Sequence, residues 1–125
     1  MIRNHSHYIV RARISNLPKE ASVLNDWIKD VVEAVGMKVV SGPMSYYSHD
    51  VGNQGFTSVA ILDFSHIAIH VWDEEKPALL EFDLFSCKAF DTFEVVDMID
   101  KQFGIISLSH MYVDRDQLEE NQKVA

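Results

Sequence analysis

DFSHIAIHVWDE, residues 63–74, decides how this chain is read. From His66 onward apolar and polar side chains alternate, so a strand sets His66, Ala68, His70 and Trp72 on one face and Ile67, Ile69 and Val71 on the other. The second set suits a hydrophobic core. The first carries imidazole and indole, flanked by the Ser65 hydroxyl and the carboxylates of Asp73 and Glu74. Such a strand is either a wet sheet face or a chemical site.

The flanking sequence supplies a sheet around this strand. Upstream, FTSVAILDF (56–64) and MKVVSGPMSYYS (37–48) have strand composition, with Gly42 and Pro43 predicting a bend or an edge in the latter. HDVGNQG (49–55) between them is a turn-rich loop, and HYIVRARI (7–14) alternates as a first strand. Leu24, Trp27, Ile28, Val31 and Val35 form the stripe of a helix over 20–35, with Pro18 suited to its first turn and Gly36 to its C-terminal cap. Downstream, the charged turn DEEKP leads to a strand, ALLEFDLFS (78–86). Asp91 and Glu94 have the spacing of a capping box, and Phe93, Val96, Ile99 and Phe103 continue a helical stripe to Gly104. IISLSHMYV (105–113) is the last strand. The order β-α-β-β-β-β-α-β predicts an α+β fold, a two-layer α/β sandwich of a largely antiparallel sheet with two helices on one face. Residues 1–114 read as a single domain and 115–125 as a polar C-terminal tail.

Composition narrows the function classes. A net charge of −8 over 125 residues, without clustered Lys or Arg, argues against nucleic-acid binding and suits a cationic small-molecule substrate. No apolar run has the length of a membrane span, and the start lacks the pattern of a secretory signal, so no membrane partner and a cytoplasmic location are expected. Cys87 is the sole cysteine, which excludes a disulfide within the chain and suits a reducing compartment.

Several chemistries use these residues. His66 and His70 share a strand face, but zinc needs at least a third ligand and none is nominated by spacing, so no metal is expected. Ser65 with a histidine and an aspartate spells a hydrolase triad on paper, yet no G-x-S-x-G elbow surrounds it. Cys87 with His70 is a possible thiolate pair, against the plainer reading of a small buried hydrophobe.

The combination says more than its parts. NQGFTS (53–58), FSHIAIHVWDE (64–74) and LFSC (84–87) together resemble the pyruvoyl-dependent S-adenosylmethionine decarboxylases of bacteria and archaea. That family's signature is close to Glu-Ser-His-Ile-Ser-Ile-His-Thr-Trp-Pro-Glu, preceded by Pro-Gln-Gly-Val-Ser/Thr-Gly and followed by Val-Phe-Thr-Cys. The resemblance implies a proenzyme that cleaves itself between Phe64 and Ser65 into a β chain (1–64) and an α chain from 65, whose Ser65 becomes a pyruvoyl group. That cofactor would form a Schiff base with the substrate amine and act as an electron sink during decarboxylation, supplying spermidine and polyamine synthesis.

Roles for the neighbouring residues follow from the same resemblance. His70 would abstract the proton during processing, the Thr57 hydroxyl would serve the oxyanion, and Cys87 would return a proton to the product. Glu74 would hold the ribose hydroxyls, with His66, Trp72 and position 51 completing the substrate-binding set. The simplest members are homodimers with sites at the subunit interface. The chain departs from the pattern at Phe64 (usually Glu), Val51 (a phenylalanine stacking on adenine), Asp73 (Pro), Ser86 and Lys88 (Thr and Gly) and Arg11 (Asp). Tyr46 or Tyr47 is placed to replace the missing aromatic face. Two alternatives remain: a pyruvoyl-dependent decarboxylase of a basic amino acid such as ornithine or arginine, and an unprocessed, non-catalytic relative that binds a ligand or regulates a partner.

Overall fold

A computed structural model describes residues 4–118. Six strands, β1 (Ser6–Ile14), β2 (Val39–Ser48), β3 (Gly55–Leu62), β4 (Ser65–Trp72), β5 (Ala78–Ser86) and β6 (Ile105–Asp114), form one sheet in the order β2-β3-β4-β5-β1-β6. Every neighbouring pair is antiparallel. Helices α1 (Ala21–Ala34) and α2 (Thr92–Phe103) cover one face, giving the expected two-layer α+β sandwich. Among the described residues no helix is long and apolar enough to cross a membrane.

The core lies between helices and sheet. Trp27 anchors it: its ring packs edge-on against Phe82 of β5 and Phe103 of α2, and its indole N–H donates to the Met98 carbonyl at 3.1 Å. Ile67, Ile69 and Val71 of β4 are buried beneath the helices, while His66, His70 and Trp72 lie on the helix-free face, as alternation predicts. Truncating Phe103, which is fully buried, would cost about 3–5 kcal/mol.

Four local expectations are corrected. Helix α1 begins at Ala21, three residues past Pro18, because the backbone at Ser15 and Asn16 is tied to the carbonyls of Phe103 and Gly104 and must run extended before it can coil. In α2 the buried stripe is Val95, Ile99 and Phe103, so Phe93, about 200° around the helix from Val95, is exposed. The capping box is only half formed: Asp91 accepts from the Phe93 N–H at 2.9 Å rather than from Glu94. Asp63 and Phe64 are not strand but a two-residue turn, since Leu62 already pairs with Ser65.

Other signals hold. Gly36 (φ +73°) ends α1 in a Schellman motif, its N–H bonding to the Glu33 carbonyl and the Met37 N–H to that of Val32. Strand β2 is an edge strand, and its pairing with β3 shifts register around Gly42 and Pro43. Residues 115–117 of the expected tail form a 3-10 turn held to the start of β1: the Arg115 N–H donates to the His5 carbonyl at 2.9 Å. The rest of that tail, from 119, lies outside the described residues.

Candidate active site

The β3–β4 ladder places Thr57 directly opposite His70, and the Thr57 hydroxyl meets His70 Nδ1 at 2.8 Å. Trp72 stacks on the His70 ring, centroids 5.4 Å apart and planes within 15°, which fixes the imidazole from its other side. These three residues share the open, helix-free face of the sheet.

Glu74 follows β4 and closes the loop before β3. Its carboxylate accepts from the backbone N–H groups of Gln54 (2.7 Å) and Gly52 (3.0 Å), and these bonds hold its carboxyl below the usual carboxylate range. Gly55, which starts β3, sits at φ +153°, and a Cβ there would overlap the Val71 carbonyl and Trp72 Cα. The glycine of the 53–58 motif is thus required by close approach to β4. A cavity of about 390 Å³ opens beside this loop, lined by Gly52, Asn53, Trp72, Glu74, Glu75 and Glu81. Val51 is 88% exposed at the loop tip and is not part of that lining.

The departures from the family pattern acquire partners. Asp73 accepts a hydrogen bond from the Tyr47 hydroxyl at 2.7 Å, which raises the Tyr47 pKa and commits that ring to the loop, where it packs against Phe56 and His49. Tyr46 pairs with Thr57 and stays exposed on the open face, so of the two tyrosines it is the one with a free ring beside the site. Arg11 forms an ion pair with Glu81 at 2.9 Å. Both border a second cavity of about 470 Å³ that His70, Asp83 and His110 also line.

Ser65 stands at the other end of β4. Its Oγ is buried and has no hydrogen-bond partner, and it directly follows Phe64, the one non-glycine residue with positive φ (+69°) among those described. Phe64 itself is 81% exposed. The β4–β5 register pairs His66 with Phe85, so one step further sets Ser65 beside Ser86 and brings the half-buried thiol of Cys87 to the same sheet end. Thr57 and His70 are not brought there: His70 is five residue steps along the strand from Ser65, about 16 Å, and the two fall on alternate faces. His66, expected with the substrate-binding residues, points instead toward His7 and Asp83.

The comparisons with known proteins bear on this arrangement. The family profile described as S-adenosylmethionine decarboxylase matches residues 11–116. The chain belongs to that family. Two S-adenosylmethionine decarboxylase proenzymes are among its relatives. That of Clostridium botulinum (strain Langeland) is 33% identical over 72 residues, 57% of each chain, and that of Methanococcus maripaludis (strain C5) is 32% identical over 95 residues, 66% of this chain and 73% of the relative. The match therefore spans little more than half the length of the first of these. The crystal structure of the adenosylmethionine decarboxylase from Aquifex aeolicus superposes with a TM-score of 0.73, covering 99% of this chain and 100% of the other at 19% identity, which establishes the shared fold. Within this S-adenosylmethionine decarboxylase-family chain, Glu81 and Asp83 are cavity-lining residues that sequence reasoning missed, and Arg11, noted only as a departure, lines the same cavity. Their signal is positional: they occupy the open-face positions of β1 and β5, legible only once strand order is known.

Proposed function

We propose that this chain is a self-processing, pyruvoyl-dependent decarboxylase of S-adenosylmethionine that serves polyamine synthesis in the cytoplasm. The observation that carries this reading is the enclosed, unpartnered Ser65 hydroxyl immediately after the strained Phe64. A buried hydroxyl with no bond to satisfy is costly, and a left-handed phenylalanine stores strain beside the bond to be broken. Such a serine fits the precursor of a pyruvoyl group.

In processing, Ser65 Oγ attacks the Phe64 carbonyl carbon, and the Phe64–Ser65 C–N bond breaks to leave an ester. Removal of the serine α-proton then expels the Phe64 carboxylate. The remaining dehydroalanine takes up water and releases ammonia, leaving the pyruvoyl terminus. The mature group supplies an electron-accepting carbonyl for decarboxylation. Around it, Cys87 lies at the same sheet end, suited to return a proton to the product carbon. Toward the far end of β4, beside His70, Trp72 offers an aromatic face to a sulfonium, and Glu74, Glu75 and Glu81 give the cavity there the charge a cationic substrate needs. Glu74 spends two lone pairs on the loop and keeps others for substrate hydroxyls.

His70 and Thr57 cannot serve Ser65 within one chain across about 16 Å of strand. The reading therefore includes a homodimer in which each site combines Ser65 and Cys87 of one copy with Thr57, His70 and the cavity beside Trp72 and Glu74 of the other.

A basic amino acid is the second reading. It is favoured by the acidic cavity and by Val51, which presents no aromatic face and lies outside the lining.

The deciding experiment is the intact mass of freshly purified protein. Two fragments meeting at Phe64 and Ser65, the larger reduced by pyruvoyl formation, support the proposal, and assays with S-adenosylmethionine, ornithine and arginine then decide the substrate. A single full-length species that persists on incubation overturns it and leaves the non-catalytic relative.

A further inference from the structure

We propose that His7, His66 and Asp83 form a site for a divalent transition-metal ion of the zinc class, a role separate from the decarboxylation chemistry read above. The three come from adjacent strands of the open face. In the β1–β5 and β4–β5 ladders, His7 and His66 both register with Phe85, one from each side, and Asp83 lies two residues along β5 on the same face. Phe85 orients both rings: His66 stacks on it with planes within 7°, and His7 meets it edge-on.

The ligand atoms converge. His7 Nε2 is 3.5 Å and His66 Nε2 3.8 Å from Asp83 Oδ1, and one ligand atom from each of the three residues lies within 4.8 Å of the others. A tetrahedral zinc ion with bonds of 2.0–2.1 Å separates its ligands by about 3.3 Å, so the cluster needs only a small inward rotation of the half-exposed His66 ring. The decisive feature is that His7 Nε2 and Asp83 Oδ1 are both enclosed, face each other, and yet neither has a hydrogen-bond partner. A cation between them satisfies both at once. Two imidazoles and a carboxylate form a donor set that zinc favours, with a fourth position left open. A bound ion would cross-link β4, β5 and β1 at the sheet end that carries Ser65.

The site is tested with untagged full-length protein, stripped with chelator and titrated with Zn²⁺, retained metal being read by mass spectrometry and Co²⁺ geometry by its visible absorption. The expected result is one ion per chain at micromolar free zinc, a tetrahedral Co²⁺ spectrum, and a zinc-dependent rise in melting temperature. His66→Ala and the isosteric Asp83→Asn should weaken binding by about 100-fold or more, at or above the upper end of what outer-shell changes cost, and abolish the thermal shift. His49→Ala, on the loop, should bind as the native chain does. Circular dichroism of the metal-free variants separates lost ligation from lost folding. Absence of retained zinc, or equal retention by correctly folded His66→Ala and Asp83→Asn, overturns the proposal. Running the same titration on uncleavable Ser65→Ala, where one zinc ion per chain is again expected, reads the site apart from processing at the adjacent bond.

Discussion

The Thr57 hydroxyl lies 2.8 Å from His70 Nδ1, directly across the β3–β4 ladder, with Trp72 stacked on the far side of the imidazole. A cross-strand bond of this kind fixes both the ring plane and which nitrogen is free. Thr57→Val, which keeps shape but removes the hydroxyl, should slow self-cleavage by roughly 10²–10³-fold, the usual effect of deleting one oxyanion donor. His70→Asn should stop it. A time course of intact mass after synthesis checks both.

Ser65 and His70 occupy opposite ends of β4, so complementation should separate a shared site from a single-chain one. Neither Ser65→Ala nor His70→Asn is expected to be cleaved alone. After co-refolding, the His70→Asn chain should be cut, because its intact serine meets the intact histidine of the other variant. If it stays whole while mixed dimers form, each site is built within one chain.

Phe64 sits at φ +69° with its ring in solvent, so glycine there loses little packing and relieves strain. In a Ser65→Ala background, which removes processing from the measurement, Phe64→Gly should raise stability by about 0.5–1 kcal/mol in urea unfolding, the net of strain relief and glycine's entropy. With Ser65 present, the same change should slow cleavage.

Gly55→Ala should be among the most damaging single-atom changes in the chain. The added Cβ would collide with the backbone of Val71 and Trp72, which must separate and weaken the ladder that carries Thr57 and His70. A loss on the order of 2–4 kcal/mol is expected in chemical denaturation.

Glu74 clamps the loop through the N–H groups of Gln54 and Gly52, and the same bonds depress its pKa. The sign follows: the clamp is fully present above the ordinary carboxylate pKa and is lost as pH falls through the lowered one. Hydrogen exchange at these two amides should therefore be protected near neutral pH and accelerated in Glu74→Ala.

Tyr8 tests the core from the alkaline side. Burial pushes its phenol up to about 12, and the hydroxyl lies 2.6 Å from His110 Nδ1. The folded protein keeps the proton that the unfolded chain gives up near pH 10. Its contribution is complete below pH 10 and disappears as pH rises toward 12. In Tyr8→Phe the decline in stability over that interval should be shallower.

Element type, element order and the family motif were legible in the sequence because they rest on local signals. Alternation along 66–72 assigned the faces of β4, the stripe through Leu24, Trp27, Ile28 and Val31 produced α1, and Gly36 marked its end. Where two apolar stripes competed, as in α2, the sequence could not choose, since only the sheet beneath selects Val95 over Phe93.

What the tertiary structure alone decided is which side chains meet. His66 and His70, four residues apart on one strand, share a face by alternation. The ladders instead assign His70 to Thr57 and His66 to His7 and Asp83, residues 59 and 17 positions away. The physical reason is that a strand advances about 6.6 Å for every second residue, whereas a neighbouring strand lies only about 4.8 Å away. Sequence determines the face a residue occupies, and strand order determines its neighbour.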